Sequence, residues 1–276
     1  MNSELAGRLR DIRHVVLDMD GTIYLSNTLF PFTNPFLAGL DEMGISHTFL
    51  TNNPSKSLKA YHEKLEKMGV AVDDGQMLTT VQATIDYIHT SRPDVRKLFI
   101  LGTPSMVTQF EAAGFISTAD DPDDVPDAIV AAFDMTLEYK RLCRAAWWIS
   151  RGLPYFATNP DRVCPTNERT VLVDCGSICA CLESATGRKP DKTLGKPDPE
   201  MLLSLASKLG LKPSQMAMVG DRVYTDIAMA CNAGAFGVLV LSGETTPEIA
   251  ARAPQQPDLI VENIGELGRL LKLARQ

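Results

Sequence analysis

Residues Val15-Val16-Leu17-Asp18-Met19-Asp20-Gly21-Thr22 decide the reading of the fold. Three apolar residues give the signal of a short buried strand. Two carboxylates two positions apart follow at once, and Gly21 permits a sharp turn. Acids that leave a strand together can point into one loop-built site, where a hard cation such as Mg²⁺ offsets their charge through oxygen ligands. Taken alone, the same text is equally well a turn whose aspartates cap a helix.

The chain on either side repeats this pattern. Short apolar runs at residues 48–50, 97–101, 128–133, 154–157, 216–219 and 236–241 read as strands. Amphipathic stretches at 55–68, 137–151 and 224–232 read as helices between them. Strands alternating with helices of this length predict parallel βαβ units and an α/β fold. In open parallel sheets, ligands bind at the carboxyl ends of the strands, so the residues after each run matter most.

Three more strand ends carry polar groups. Thr51-Asn52-Asn53 offers a hydroxyl, amides and free backbone N–H groups that suit phosphate oxygens, although Asn-Asn-Pro is also a common turn. Gly195-Lys196-Pro197-Asp198-Pro199 follows a strand-like run at 192–194 and starts a helix near Asp198. A stray cation is unfavourable at a helix N-terminus, so Lys196 reads as a placed ammonium able to neutralise a phosphoryl group rather than as a surface lysine. Gly220-Asp221-Arg222-Val223-Tyr224-Thr225-Asp226 places one acid at a strand end and a second about one and a half helical turns on; a capped helix is the alternative.

Composition narrows the setting. The chain has 276 residues, enough for one large domain or two modest ones with a real core. Lys and Arg total 27 against 34 for Asp and Glu, a formal charge of −7 that argues against a broad nucleic-acid-binding surface. It leaves an anionic substrate open, because one small site can be locally positive. The polar first residues do not resemble a secretory leader, and no apolar stretch approaches the ~20 residues of a membrane span, so no membrane association is expected. Six cysteines in a chain of this length are no disulfide scaffold, which points to a reducing, cytoplasmic compartment. Cys175, Cys179 and Cys181 have no nearby His to complete a metal site and read as small buried side chains of a helix at 178–185. His14, His47, His62 and His89 show no paired ligand spacing, and the acidic run at 120–127 reads as a solvated loop.

Together the texts DMDGTIY, FLTNNPS, GKPDP and VGDRVYTDI resemble, in order and type, the haloacid dehalogenase superfamily. Residues 155–161 and Ser242-Gly243-Glu244-Thr245-Thr246 are similar to its subfamily IIA, the nitrophenylphosphatase-like (NagD-like) enzymes, and the resemblance covers nearly the whole chain. It implies a Rossmann-like, doubly wound parallel-sheet core at 1–82 and 187–276, with a large α/β cap inserted at 83–186. It also implies a Mg²⁺-dependent phosphatase acting on small-molecule phosphomonoesters. Asp18 would be the nucleophile, Asp20 the general acid and base, and Lys196 the charge partner of the phosphoryl group. Thr51, Asn52 and Asn53 would hold phosphoryl oxygens. Asp18, the backbone carbonyl of Asp20, Asp221 and Asp226 would hold or support Mg²⁺. In the cap, Asn159 and Asp161, and Asp174 to Ser177, are the candidates to face the leaving group. Dehalogenases of the superfamily often lack the second acid, so Asp20 favours phosphoryl transfer. A phosphotransferase or mutase, and a non-catalytic phosphate-binding regulatory module, are the alternatives; the intact acids weigh against the last. Trp147-Trp148 would suit a homodimer through the cap.

Overall fold

A computed structural model describes residues 2–52, 58–73, 75–119, 121–164 and 169–276. The chain forms two compact units: Met1–Thr51, Tyr61–Leu78 and Lys196–Gln276 make the first, and Asn52–Ala60 with Thr79–Gly195 the second.

The first unit is built on a six-stranded sheet in the order Leu259–Val261, Phe236–Val240, Met216–Gly220, His14–Leu17, Ser46–Thr51, Met77–Thr79. Leu17 pairs in parallel with Val219 on one side and with Phe49 on the other. Every residue of His14–Leu17, Met216–Gly220 and Phe236–Val240 is buried, as strands covered on both faces require. The near-continuous apolar runs in the sequence are the direct cause. From His14–Leu17 the chain first adds strands on one side, then returns to add Met216–Gly220 and its successors on the other. The switch point of this doubly wound sheet therefore lies between His14–Leu17 and Met216–Gly220.

The second unit carries a five-stranded parallel sheet in the order Lys192–Thr193, Tyr155–Ala157, Ala128–Ala131, Lys97–Leu101, Ile116–Ser117. Its side chains alternate with the period of two that a pleated strand imposes. Leu98, Ile100, Val130 and Phe156 pack with Ile85, Ile88 and Phe110 from the helices Thr80–Ser91 and Pro104–Ala112. Phe99, Leu101, Ile129 and Tyr155 pack with Trp148, Ile178 and Leu182 from Tyr139–Ser150 and Cys175–Thr186.

Several details differ from the sequence reading. The helix expected over 178–185 starts earlier, at Cys175, because the Asp174 side chain caps it by accepting from Cys175 N. Cys175 and Cys179, four positions apart, share the core face, whereas Cys181 is exposed on another. Trp148 is core, but Trp147 is 37% exposed and stacks beneath Arg144 and Arg151. The acidic run is more than solvated: Asp127 accepts from Arg96 N and Lys97 N (2.9 and 2.8 Å), and Asp124 pairs with Lys97. These bonds tie the loop to the start of the strand Lys97–Leu101. Asp120 lies outside the described residues. The polar start of the chain is a helix, Ser3–Asp11, capped by Asn2.

Candidate active site

At the switch point, the backbone N–H of Asp18 donates to Val219 O (2.8 Å), so the two central strands stay bonded up to the residue that leaves the sheet. Lys196 reaches this point almost fully buried, at 4% exposure. Its ammonium pairs with Asp18 Oδ1 and lies 2.7 Å from Asp226 Oδ1. Asp226 arrives there on a π-helical turn, Val223–Ile227, which precedes the helix Ala228–Ala233 in place of the single helix expected over 224–232. Single π turns often mark functional sites, because the wider turn redirects a side chain. Here the other Asp226 oxygen, Oδ2, accepts from Arg222 N (3.0 Å). Asp221, the first residue after Met216–Gly220, is 3% exposed. Its Oδ2 accepts from Glu244 N (2.7 Å), and its buried Oδ1 has no hydrogen-bond partner among the described residues.

Asp18, Asp221 and Asp226 thus offer carboxylate oxygens within 4.8 Å of one another. Burial pushes the Asp18 carboxyl above its ordinary value; the Lys196 ammonium opposes this, and Asp226 and Asp221 add to it. Burial, followed by the Asp226 charge, raises Asp221 to about 6 against the pull of Glu244 N–H. Burial pulls the Lys196 pKa down, but Asp18 and Asp226 outweigh it and hold the ammonium above the ordinary lysine value. When ionised, three carboxylates around one ammonium leave two excess negative charges, and Arg222, which also attracts Asp221, is itself paired with Glu244. One divalent cation with oxygen ligands would fit that deficit and the unpartnered Asp221 Oδ1.

Asp20 lies beside this cluster in sequence but is exposed, with Oδ1 accepting from Ser26 N (3.2 Å). Its carboxylate is separate from the three-acid cluster. Thr51 and Asn52, at the end of Ser46–Thr51, are both buried at 8% exposure. Asn53 lies outside the described residues.

In the second unit, Asn159 is fully buried. It accepts from Thr158 Oγ1 (2.9 Å) and donates to Asp174 Oδ1 (3.0 Å) and Asp161 Oδ2 (3.4 Å). Burial raises Asp174 to about 6, although the Asn159 amide and Cys175 N–H pull the other way. The sequence reading singled out no role for Arg222, Tyr224 or Glu244. The structure joins them: Arg222 Nε is 2.8 Å from Glu244 Oε2, and Tyr224 OH donates to Glu244 Oε1 (2.7 Å). Twenty positions separate Tyr224 from Glu244, so no local spacing could have paired them.

The profile of the haloacid dehalogenase-like hydrolases matches residues 15–116, and a second profile of the same superfamily, described as HAD-hydrolase-like, matches 193–267. A solved 4-nitrophenylphosphatase from Thermotoga maritima is 41% identical, with a TM-score of 0.88 over 95% of this chain and 98% of that one. Ribonucleotide monophosphatase NagD of Escherichia coli is 29% identical over 93% of this chain and 98% of its own length. A glycerol phosphate phosphatase from Mycobacterium tuberculosis, solved in complex with magnesium, is 27% identical with a TM-score of 0.84 over 96% of this chain and 77% of that one. The chain belongs to the haloacid dehalogenase superfamily of hydrolases, in the nitrophenylphosphatase-like, NagD-like phosphatase subfamily IIA.

Proposed function

We propose that this chain is a Mg²⁺-dependent phosphatase that hydrolyses small-molecule phosphomonoesters through an aspartyl-phosphate on Asp18. The observation that carries the reading is the buried Lys196 ammonium paired with both Asp18 and Asp226 at the switch point, beside the unpartnered Asp221 Oδ1. Relatives named for nitrophenyl phosphate, ribonucleotide monophosphates and glycerol phosphate share the phosphomonoester group and differ in the leaving group.

An Asp18 carboxylate oxygen attacks phosphorus, and the bond from phosphorus to the leaving oxygen breaks. Asp20 donates its proton to that oxygen, then takes a proton from the water that attacks the aspartyl-phosphate. That second displacement releases inorganic phosphate and restores the Asp18 carboxylate. The Lys196 ammonium eases the approach of two anions, a task suited to its full burial and its retained proton. Thr51 and the backbone at Asn52 would hold phosphoryl oxygens. Asp18, Asp221 and the backbone carbonyl of Asp20 would hold Mg²⁺, with Asp226 in support. When bound, Mg²⁺ supplies charge neutralisation at the phosphoryl oxygens. Asn159 and Asp161 are the proposed contacts of the leaving group, and exposed Trp147 is the proposed centre of a homodimer contact. The six cysteines, which form no disulfide among the described residues, fit a cytoplasmic setting.

Phosphate release from p-nitrophenyl phosphate, with and without Mg²⁺, tests the reading. The wild-type rate should depend on Mg²⁺ and collapse in Asp18→Asn. A wild-type rate no higher than that of Asp18→Asn would sink it.

A further inference from the structure

The turn after the strand Phe236–Val240 closes over Asp221 at several points. Ser242 Oγ donates to Gly21 O (2.7 Å) in the turn that follows Asp18-Met19-Asp20. Glu244 N donates to Asp221 Oδ2 (2.7 Å), and Thr245 N donates to Asp221 O (3.2 Å). The approach is close enough to dictate residue type. A Cβ at Gly243 would sit 2.0 Å from Asp221 Oδ2, and one at Gly21, which has φ +84°, would sit 2.5 Å from the same atom. Two glycines therefore form a slot for one carboxylate oxygen, and a backbone N–H donates to it there. The other oxygen, Oδ1, is left buried and without a hydrogen-bond partner among the described residues.

The Glu244 side chain turns away from this slot and is held by Arg222 Nε (2.8 Å) and Tyr224 OH (2.7 Å). With side-chain exposures of 34% and 47%, the Arg222–Glu244 pair contributes little to stability by itself. Its physical consequence is geometric: it fastens the backbone N–H of Glu244 to a point beside the residue that follows Asp221.

We infer that Gly243 and Glu244 are positioning residues that occupy Oδ2 of Asp221 and present Oδ1 alone to a divalent cation, with Arg222 and Tyr224 as the outer anchor of that arrangement. The inference rests on the cation reading proposed above. It makes cation affinity depend on residues that touch neither cation nor substrate, as the hydrogen-bonding partners of metal ligands commonly do.

Mn²⁺ binding to the full chain, read from the electron paramagnetic resonance signal of free Mn²⁺, tests it. Circular dichroism melts establish that each variant is folded. Glu244→Ala should weaken Mn²⁺ binding about tenfold, and Gly243→Ala at least as much. Glu244→Gln keeps an acceptor for Tyr224 and should recover most of the loss. In activity, the cation concentration giving half-maximal rate should rise in parallel, while kcat at saturating cation changes much less. If Gly243→Ala does not fold, Glu244→Ala and its rescue by Glu244→Gln decide the matter. Binding by the folded Glu244→Ala variant within twofold of wild type, in the face of lost binding by Asp221→Asn, would overturn the positioning role and leave the cation site standing. Undiminished binding by Asp221→Asn would remove the cation site itself, and the inference with it.

Discussion

Asp18, Asp221 and Asp226 gather around a buried lysine in the first unit, whereas Asp174 in the second accepts from the amide of Asn159 and from Cys175 N. Both groups of acids sit among buried residues near strand ends, and both contain carboxyls raised by burial. The compensation differs. The Asn159 amide and the Cys175 N–H both donate to Asp174 Oδ1, and among the described residues neither Asp174 oxygen is a buried atom without a partner. The first cluster holds an excess of negative charge and an acceptor without a donor. A satisfied carboxylate shapes a surface, and an unsatisfied one recruits a ligand.

The largest expected contrast is in turnover. Asp18→Asn should lower phosphate release about 10³-fold or more, and Asp174→Asn less than tenfold; comparable losses would erase the distinction between the clusters. The next is in stability. Lys196→Met leaves Asp18 and Asp226 without their counter-ion, at a cost of about 3–5 kcal/mol in metal-free urea unfolding. Added Mg²⁺ should stabilise this variant more than the wild type, because the remaining charge deficit is larger.

A smaller effect follows from pH. Asp174 titrates near 6 when folded and near the ordinary 3.8 when unfolded, so the folded state keeps a proton that the unfolded state has released. Stability from this group is full below about pH 4 and is lost as pH rises through 6, about 3 kcal/mol in all. Asp221 changes stability in the same direction in the metal-free protein. Unfolding free energies across pH 4–7 should therefore fall less steeply in Asp174→Asn, and equal slopes would show that Asp174 is ionised throughout. The smallest effect belongs to Asp161, half-buried and bonded to Asn159 at 3.4 Å. Asp161→Asn should raise KM two- to fivefold, to order of magnitude, with kcat unchanged. Unfolding should shift by no more than about 0.5 kcal/mol. A fall in kcat would move Asp161 into the reacting centre.

Much of this was legible in the sequence because it is local. The runs around Val16, Val219 and Val238 are short and nearly continuous in apolar residues, the pattern of strands covered on both faces. Acids following two of them, in an alternating βα chain, put Asp18 and Asp221 at carboxyl strand ends. The order of the four motifs supplied the family. The elements that went unread were those whose pattern is weak: Ser3–Asp11 is mostly polar, and its helix is tied down by a side-chain cap and by Arg8 pairing with Asp258, 250 residues away.

The sequence by itself determined the α/β class, the strand-end acids and the superfamily, since each follows from residue type and short spacing. Only the tertiary structure decided which acids share one charge environment and which oxygen of Asp221 stays free. Lys196 lies 178 positions from Asp18, and the Gly243-Glu244 turn lies 222 positions beyond Gly21 at its nearer residue. Pairings of that span are set by which strands become neighbours at the switch point, and no local periodicity encodes that choice. The −7 charge had suggested only an acidic protein; the fold concentrates three of those acids around one ammonium and gives the excess a place and a use.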